Sequence, residues 1–428
     1  MNRVLNLLTA SRIGTRLIIA TTILTIVAAM VFVSGFAQED KRQEIDLTED
    51  AAAARRKAET PTEKKEISTV QDESGLAPEA ILAVANTANY TFTTNSTSSL
   101  KRTAGSGVDN IDMSTGVGQL LANSVDDTAS AITPIGFDFF LMGVRYNQFS
   151  VNDNGNMRVG TTTVQAASPY SMPNGAVPLL NPFGNDMRVG TDGVIVSKVI
   201  GTAPNRVLVV QWTNVMIRFA TAAPGGGTFQ ARIYETTGAI EYVYGSMVTN
   251  AAAPTTYTVG FSVNITINNI LSVNTTTNTS STSATVTTNS YSASSTVTQL
   301  HSTTDGSRRA YMFAPPTPTA PTSLTFTGVT TTGMTLNWVD SPDDVAYAIY
   351  RSTDGVNFSY AGAAASDATS FAATGLANNQ SYTWQVYAVS EGRLSSALSG
   401  TQATTAGTIC GTFTVGPTFI IIGIAFLH

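Results

Sequence analysis

The sequence predicts an all-β protein, with a large antiparallel β-sandwich of jelly-roll character followed by a smaller β-module. Three observations carry this reading. Apolar and polar residues alternate in short runs, the period-2 signature of half-buried strands. Gly, Asn, Asp and Pro clusters separate those runs at short intervals. Only 12% of the 428 residues are charged, while Thr, Ser, Asn and Gly are plentiful, a composition of extracellular β modules rather than of a helical cytosolic enzyme.

At the N-terminus, Arg3, Arg12 and Arg16 precede an uncharged, mostly apolar run over residues 17–36. Gly35-Phe-Ala37 then supplies the small-x-small pattern of a signal peptidase site. The run is also just long enough to span a bilayer. Residues 1–37 are therefore expected to be a signal peptide or, uncleaved, a signal anchor. The flanking arginines set an N-in orientation, so either outcome exports the rest of the chain. Cleavage before Gln38 removes three positive charges and moves the formal charge from −6 to −9. An acidic body without a basic stripe argues against nucleic acid as a partner. Cys410 is the single cysteine, so no internal disulfide forms and each domain must rest on its own apolar core.

Residues 38–84 read as a polar linker. Its charges are mixed, as in Glu39-Asp-Lys-Arg42 and Lys64-Lys-Glu66, and no apolar stripe accompanies them. Residues 85–314 are β throughout. Gly136 to Met142, Gln148 to Asn152, Met157 to Val159, Gly193 to Ile200, Val259 to Val263 and Tyr311 to Phe313 read as strands, with a turn at Asp153-Asn-Gly155. The stretch from Arg206 to Tyr244 organises them. Arg206-Val-Leu-Val-Val-Gln-Trp212 is a buried strand. Phe229, Ala231 and Ile233 then alternate with Gln230, Arg232 and Tyr234, and Gly238 supplies the positive φ of a tight hairpin into Ile240–Tyr244. Residues 272–302 are almost pure Ser, Thr and Asn, compatible with strands or with a long loop. Residues 315–321 form a stiff Pro-rich linker, and residues 322–405 a second, smaller β-module. Residues 406–428 belong to neither module and read as an incomplete or altered terminus. Their last ten residues are too short a run to span a membrane.

The second module resembles a fibronectin type III domain over nearly all its length. Leu336-Asn-Trp338, Tyr347-Ala-Ile-Tyr-Arg351, Leu376 and Tyr382-Thr-Trp-Gln-Val-Tyr-Ala-Val389 carry the resemblance. It implies a two-sheet sandwich with Trp338, Ile349, Trp384 and Val386 in the core and Tyr382 as the tyrosine corner. Glu391-Gly-Arg393 stands where some members of that family carry an adhesive Arg-Gly-Asp. The larger module is similar to the nidogen-like extracellular domain, through Phe149-Ser-Val-Asn-Asp-Asn-Gly155, Pro182-Phe-Gly-Asn-Asp186, Val209-Val-Gln-Trp212, Thr228-Phe-Gln230 and Tyr257-Thr-Val-Gly-Phe261. The pairing looks like that of bacterial secreted surface proteins and implies, by analogy, a part in adhesion.

Little in the chain points to catalysis. The only histidines are His301, in the Ser/Thr tract, and His428; no nucleophile-elbow pattern accompanies them, and Cys/His zinc sites are not available. Gly225-Gly-Gly227 lacks the lysine and helix of a phosphate-binding loop. The carboxylates of Asp153, Asp186, Asp192, Glu235 and Glu241 are numerous enough for a glycosidase pair, but their positions in turns and on strand faces read as solvated. Asn152-Asp-Asn-Gly155 and Asn185-Asp186 offer the oxygen ligands Ca²⁺ prefers, without the closing Glu of an EF-hand; whether a metal binds stays open, and no cofactor is implied. Tyr146, Tyr170, Tyr234 and Tyr242 are candidate sugar-stacking rings, with core packing as the alternative. The expectation is a noncatalytic, secreted or surface-attached binding protein. Its partner would be an extracellular glycan or a matrix or surface protein, and the fibronectin-like module a spacer. The alternative is a carbohydrate-binding or carboxylate-dependent polysaccharide-degrading protein.

Overall fold

The computed structural model describes residues 67–70, 79–82, 85–104, 110–167, 172, 177–217, 226–247, 255–266, 269–283, 289–291, 300 and 309–407. All lie in the second of the chain's two compact units, Lys65–His428. The expected signal segment, Tyr170, His301, Cys410 and the apolar C-terminal run fall outside them. Among the described residues there is no α-helix, and no helix is long and apolar enough to cross a membrane. Within the stretch read as a polar linker, Ile67–Val70 and Glu79–Leu82 pair as a small antiparallel hairpin.

The larger module is a sandwich of two antiparallel sheets. One sheet runs, in spatial order, Thr91–Asn95, Ala310–Ala314, Ile240–Tyr244, Gly227–Tyr234, Val207–Ile217, Met187–Ile200 and Gly118–Leu121. The other runs Thr279–Thr282, Ile270–Asn274, Thr255–Ser262, Leu179–Gly184, Met157–Val159, Val144–Val151 and Thr133–Leu141, with Asn289–Tyr291 paired beside Thr255–Ser262. Part of the Ser/Thr-rich stretch is therefore strand. The hairpin expected at Thr236-Thr-Gly238 is present. Tyr234 N–H donates to Ala239 O at 3.0 Å, and Gly238 has φ +61°.

Aromatic rings fill the space between the sheets. The Trp212 indole stacks on Phe229 at 5.1 Å, and Phe183 stacks on Tyr257 at 4.7 Å. Offset and edge contacts of this kind add to the area that the rings bury. Two tyrosine hydroxyls cross the core to backbone carbonyls of the opposite sheet. Tyr242 donates to Gly260 O at 2.6 Å, and Tyr244 donates to Pro182 O. Each buried O–H thus has an acceptor while its ring packs.

One expectation about the central hairpin is overturned. Gln230 and Arg232 alternate with apolar residues, yet they are as buried as Phe229 and Ile233. The segment around Ser99–Arg102 lies over this face, and its carbonyls accept from the two side chains. Gln230 Nε2 donates to Leu100 O at 3.1 Å, and Arg232 donates to Leu100 O at 3.0 Å and to Arg102 O at 2.5 Å. Alternation marks which residues share a face; it does not say whether water or protein covers that face.

The smaller module is a sandwich of Thr322–Thr327, Met334–Val339 and Ser370–Ala373 against Ser359–Ala365, Ala346–Ser352, Ser381–Val389 and Leu398–Ala403. Trp338, Ile349, Leu376, Trp384 and Val386 are buried in one core. The Tyr382 hydroxyl accepts from Ala377 N–H at 2.9 Å, which closes the tyrosine corner.

The two modules are not held apart. The outer face of the four-stranded sheet packs on the larger module, where Ala346, Ala348 and Val389 form an apolar cluster with Phe140. The small alanine side chains pack against Phe140, and at the adjacent hairpin tip Gly143 N–H donates to Glu391 O at 3.0 Å. Glu391 is buried, and its carboxylate accepts from the Asn89 side chain and the Asn86 N–H. Gly238 meets Gly392 so closely that an added Cβ would lie 1.9 Å from Gly392 O. Glu391-Gly-Arg393 is therefore a seam rather than a presented loop. The proline-rich segment is fixed as well: Pro315, Pro318 and Pro321 are buried, and Pro316 O accepts from Ser390 Oγ. The smaller module is thus docked on the larger one, and the spacer expected from sequence is not observed.

Candidate functional site

Along this seam the modules leave an open cleft of about 640 Å³. Phe137, Asp138, Pro204, Arg206, Glu235 and Thr236 line it from the larger module. Tyr350, Val356, Phe358, Gln385, Tyr387 and Leu394 line it from the smaller one. Domain interfaces are a preferred place for ligand sites, and the volume lies within the usual range of roughly 300–1,000 Å³.

Strand geometry explains why these side chains converge. Tyr347 and Ile349 face the core of the smaller module, so Ala346, Ala348 and Tyr350 face the other way. Gln385 and Tyr387 share that outer face on the neighbouring strand, two residues apart. Tyr350 and Tyr387 meet edge to face at 5.7 Å, and Tyr387 OH donates to Gln385 Oε1 at 2.9 Å. On the larger module, Arg206 immediately precedes the central strand and Glu235 immediately follows its neighbour.

The charged groups are paired. Arg206 Nε donates to Glu235 Oε2 at 2.8 Å, and its Nη2 meets Oε1 at 2.5 Å, the fork that suits a guanidinium and a carboxylate. A third donor, Arg206 Nη1, reaches Gly136 O at 2.7 Å, and the guanidinium lies over the Phe137 ring at 5.5 Å. Asp138 receives Arg145 at 2.8 Å on one oxygen and the Tyr350 hydroxyl at 2.8 Å on the other. Arg145 also sits over the Tyr360 ring at 4.1 Å. The Tyr350–Asp138 hydrogen bond and the Arg145–Tyr360 cation–π contact thus tie the modules together beside the cleft, and burial foremost pushes the Tyr350 hydroxyl pKa well above its ordinary value.

Of the carboxylates singled out from sequence, only Glu235 reaches this cleft. Asp192 is exposed and accepts from Asn214 Nδ2 at 3.2 Å. Glu241 is buried against Arg232 at 3.0 Å and takes the Tyr234 hydroxyl at 2.6 Å; it borders a hollow of about 270 Å³ on the outer face of its sheet. Tyr146 and Tyr242 are core residues and offer no open ring to sugar; Tyr234 is half-buried, bonds Glu241 and is not among the residues lining the cleft.

The turn at Asn152–Asn156 departs most from expectation. Asn152, Asp153, Asn154 and Asn156 have no exposed surface. Asn152 Oδ1 accepts from Asn156 N–H at 2.9 Å, and Asn154 Oδ1 accepts from Met187 N–H at 2.7 Å. The latter bond joins this turn to the Asn185-Asp186 turn, where Asp186 is half-buried. Gly155 has φ +77°, and a Cβ there would come within 1.9 Å of Phe183 O, so only glycine fits. The side-chain oxygens of Asn152 and Asn154, offered to Ca²⁺ by the sequence, are thus engaged by backbone N–H groups. Asp153 Oδ1 accepts from Thr128 N–H at 3.1 Å, and Oδ2 has no hydrogen-bond partner.

Burial pushes the Asp153 carboxyl up to about 7, and Asp126 and Asp127 add to the rise. A carboxyl protonated near neutrality suits a general acid, but this one has no surface by which a substrate could reach it. Its consequence is for stability. The folded state holds the proton up to about pH 7, whereas an unfolded aspartate releases it near 3.9. The folded state therefore binds more protons between these values, and the group's contribution falls as pH rises from about 4 to about 7. Asp153→Asn keeps an acceptor for Thr128 and removes the titration. Urea midpoints at pH 5 and pH 8 should drop more for the wild-type chain than for the variant; parallel changes would refute the assignment.

A further acidic group was not singled out from sequence. Asp340, Asp344 and Asp367 place carboxylate oxygens within 4.8 Å of one another. They are the residues nearest to a metal cluster among those described, and three carboxylates supply roughly half of the smallest Ca²⁺ shell.

The family comparisons follow the same division of the chain. The NIDO-related family model matches residues 89–315, and the fibronectin type III model matches residues 319–401. Among solved structures, the FN3 domain of human collagen XX is 27% identical, over 20% of this chain and 88% of that one, with a TM-score of 0.18. An Fn3-like protein from Clostridium thermocellum is 24% identical, over 22% of this chain and 99% of that one, with a TM-score of 0.19. No curated protein matches. Matched over more than half its length, and over the whole of the larger sandwich, the chain belongs to the NIDO-related family and carries a fibronectin type III domain behind that module.

Proposed function

We propose that the protein is a noncatalytic extracellular binding protein whose ligand seat is the cleft between the two modules. NIDO-related and fibronectin type III domains are common in extracellular binding and adhesion proteins, and the arginine-flanked apolar N-terminal run fits export of the chain. The observation that carries the reading is the docked seam. Both walls of the cleft are anchored on sheets, and the hydrogen bonds, the cation–π contact and the apolar cluster beside it fix one module on the other, so a ligand meets a preformed site rather than two tethered surfaces. Catalysis is left out of the reading because both carboxylates in the cleft are held by arginines and the proton-bearing Asp153 is sealed inside.

The test is retention without turnover. Full-length protein passed over immobilised polysaccharide and matrix protein should be held by at least one of them and release no reducing ends or peptides. Tyr387→Ala, which removes a ring from the cleft wall, should abolish retention. Retention unchanged in that variant would move the binding surface elsewhere, and product release would restore the enzyme reading.

A further inference from the structure

Resting on the cleft as the ligand seat, we propose that its ligand is a short neutral oligosaccharide.

Charge narrows the choice first. The carboxylates at the cleft each have a guanidinium partner: Glu235 is forked by Arg206, and Asp138 is bound by Arg145 at 2.8 Å. A charged ligand finds no unmatched countercharge here. To bind by charge it would have to open one of these pairs and leave the displaced partner beside protein, which is costly. A neutral ligand leaves both pairs intact.

Apolar surface narrows it further. Tyr350, Phe358 and Tyr387 of the smaller module bring partly exposed aromatic rings to the cleft, while Phe137, 5% exposed, lies beneath the Arg206 guanidinium at its floor. Flat rings match the C–H faces of pyranose units and cover them without demanding hydrogen bonds. Purely apolar ligands are disfavoured by the groups between the rings. Asp138, Glu235, Arg206, Thr236 and Gln385 would lose water to such a ligand without compensation. A sugar hydroxyl both donates and accepts, so it can meet each of them. The Tyr387 hydroxyl holds Gln385 through Oε1, which leaves the amide NH₂ as the group with donors to offer. Carboxylate oxygens already bonded once retain a further lone pair for a hydroxyl donor. Alternating apolar faces and hydroxyl edges is the chemistry of a saccharide, and the neutral lining selects an uncharged one.

Position supports a chain rather than a single small molecule. The cleft is open along the seam, and Val356, 79% exposed, stands at its rim beside Phe358. A ligand can thus extend past this rim toward solvent.

The experiment is isothermal calorimetry of full-length protein with cellotetraose, xylotetraose, maltotetraose and chitotetraose. Tetragalacturonate and a heparin tetrasaccharide serve as charged probes. At least one neutral probe should bind with an affinity that changes little between about 50 and about 500 mM salt, since no ion pair forms or breaks. Tyr387→Ala and Phe358→Ala should each weaken it about tenfold or more. Phe358 lies in a loop at the rim, so its variant tests the site even where Tyr387→Ala disturbs the seam. Binding of the charged probes alone, weakening with salt and dependent on Tyr387, would overturn the neutral class and keep the cleft. Retention of a matrix protein that depends on Tyr387, with no saccharide bound, would do the same. Saccharide binding untouched by either substitution would overturn both readings.

Discussion

Trp212→Ala should destabilise the larger module by about 3–5 kcal/mol, the upper range for large-to-small changes in a packed core. Trp212 is fully buried and stacks on Phe229 with an interplanar angle of 14°. Its neighbours stand on sheets whose registers are fixed by backbone hydrogen bonds on both sides, so the space left by the indole collapses only in part. A second loss adds to the cavity. Trp212 Nε1 donates to Asn152 O at 2.8 Å, and this is how the core strand holds the sealed Asn152–Asn156 turn. Alanine leaves that buried carbonyl without its donor, a cost of about 1–3 kcal/mol where water cannot enter. Trp212→Phe separates the terms, since it keeps most of the volume and removes the donor. Urea unfolding of the full-length chain, followed by near-UV circular dichroism, reads both. A change below about 1 kcal/mol for the alanine variant would mean that the stacked indole is not a core element.

How far the sequence could lead is clear from particular residues. The strands around Val207–Ile217, the positive φ of Gly238 and the tyrosine corner of Tyr382 were legible, because each depends on near neighbours or on a pattern within one strand. The cleft was not. Asp138 and Tyr350 are 212 residues apart in the chain and 2.8 Å apart in space, and no local pattern encodes that distance. One signal was present. Val345-Ala-Tyr-Ala-Ile-Tyr350 is a continuous apolar run rather than an alternating one, which marks a strand covered on both faces. A fibronectin sandwich buries one face of that sheet in its own core, so the run implied a second body on the other. The Asn152–Asn156 turn carried no such signal. Asn, Asp and Gly suit an exposed turn and a buried one alike, and what buries this one is an indole some 60 residues later in the chain and a strand start at Met187.

Glu241→Ala should cost about as much as the tryptophan change, about 3–5 kcal/mol, because it leaves a buried guanidinium without its counterion. Arg232 has no exposed side-chain surface and Glu241 only 6%, and they meet at 3.0 Å. The other donors of Arg232 go to Gln230 Oε1 at 2.8 Å and to the carbonyls of the covering segment. The side chain therefore has two roles: it neutralises Glu241, and it fastens Ser99–Arg102 over the sheet. The roles separate in a double substitution. Arg232→Met with Glu241→Leu removes both charges and keeps much of the volume, and such replacements of buried pairs are often neutral or stabilising. The double variant should thus be more stable than Glu241→Ala alone. Yet the carbonyls of Leu100 and Arg102 lose their donors in it, so the covering segment should open. Limited proteolysis near Lys101 and Arg102 should be faster in the double variant than in the wild type, although its global unfolding midpoint recovers. Equal losses for the single and double variants would show that Arg232 stabilises through its reach to the covering segment and not through its charge. Full stability with Glu241→Ala would mean that the guanidinium is matched by the carbonyls alone.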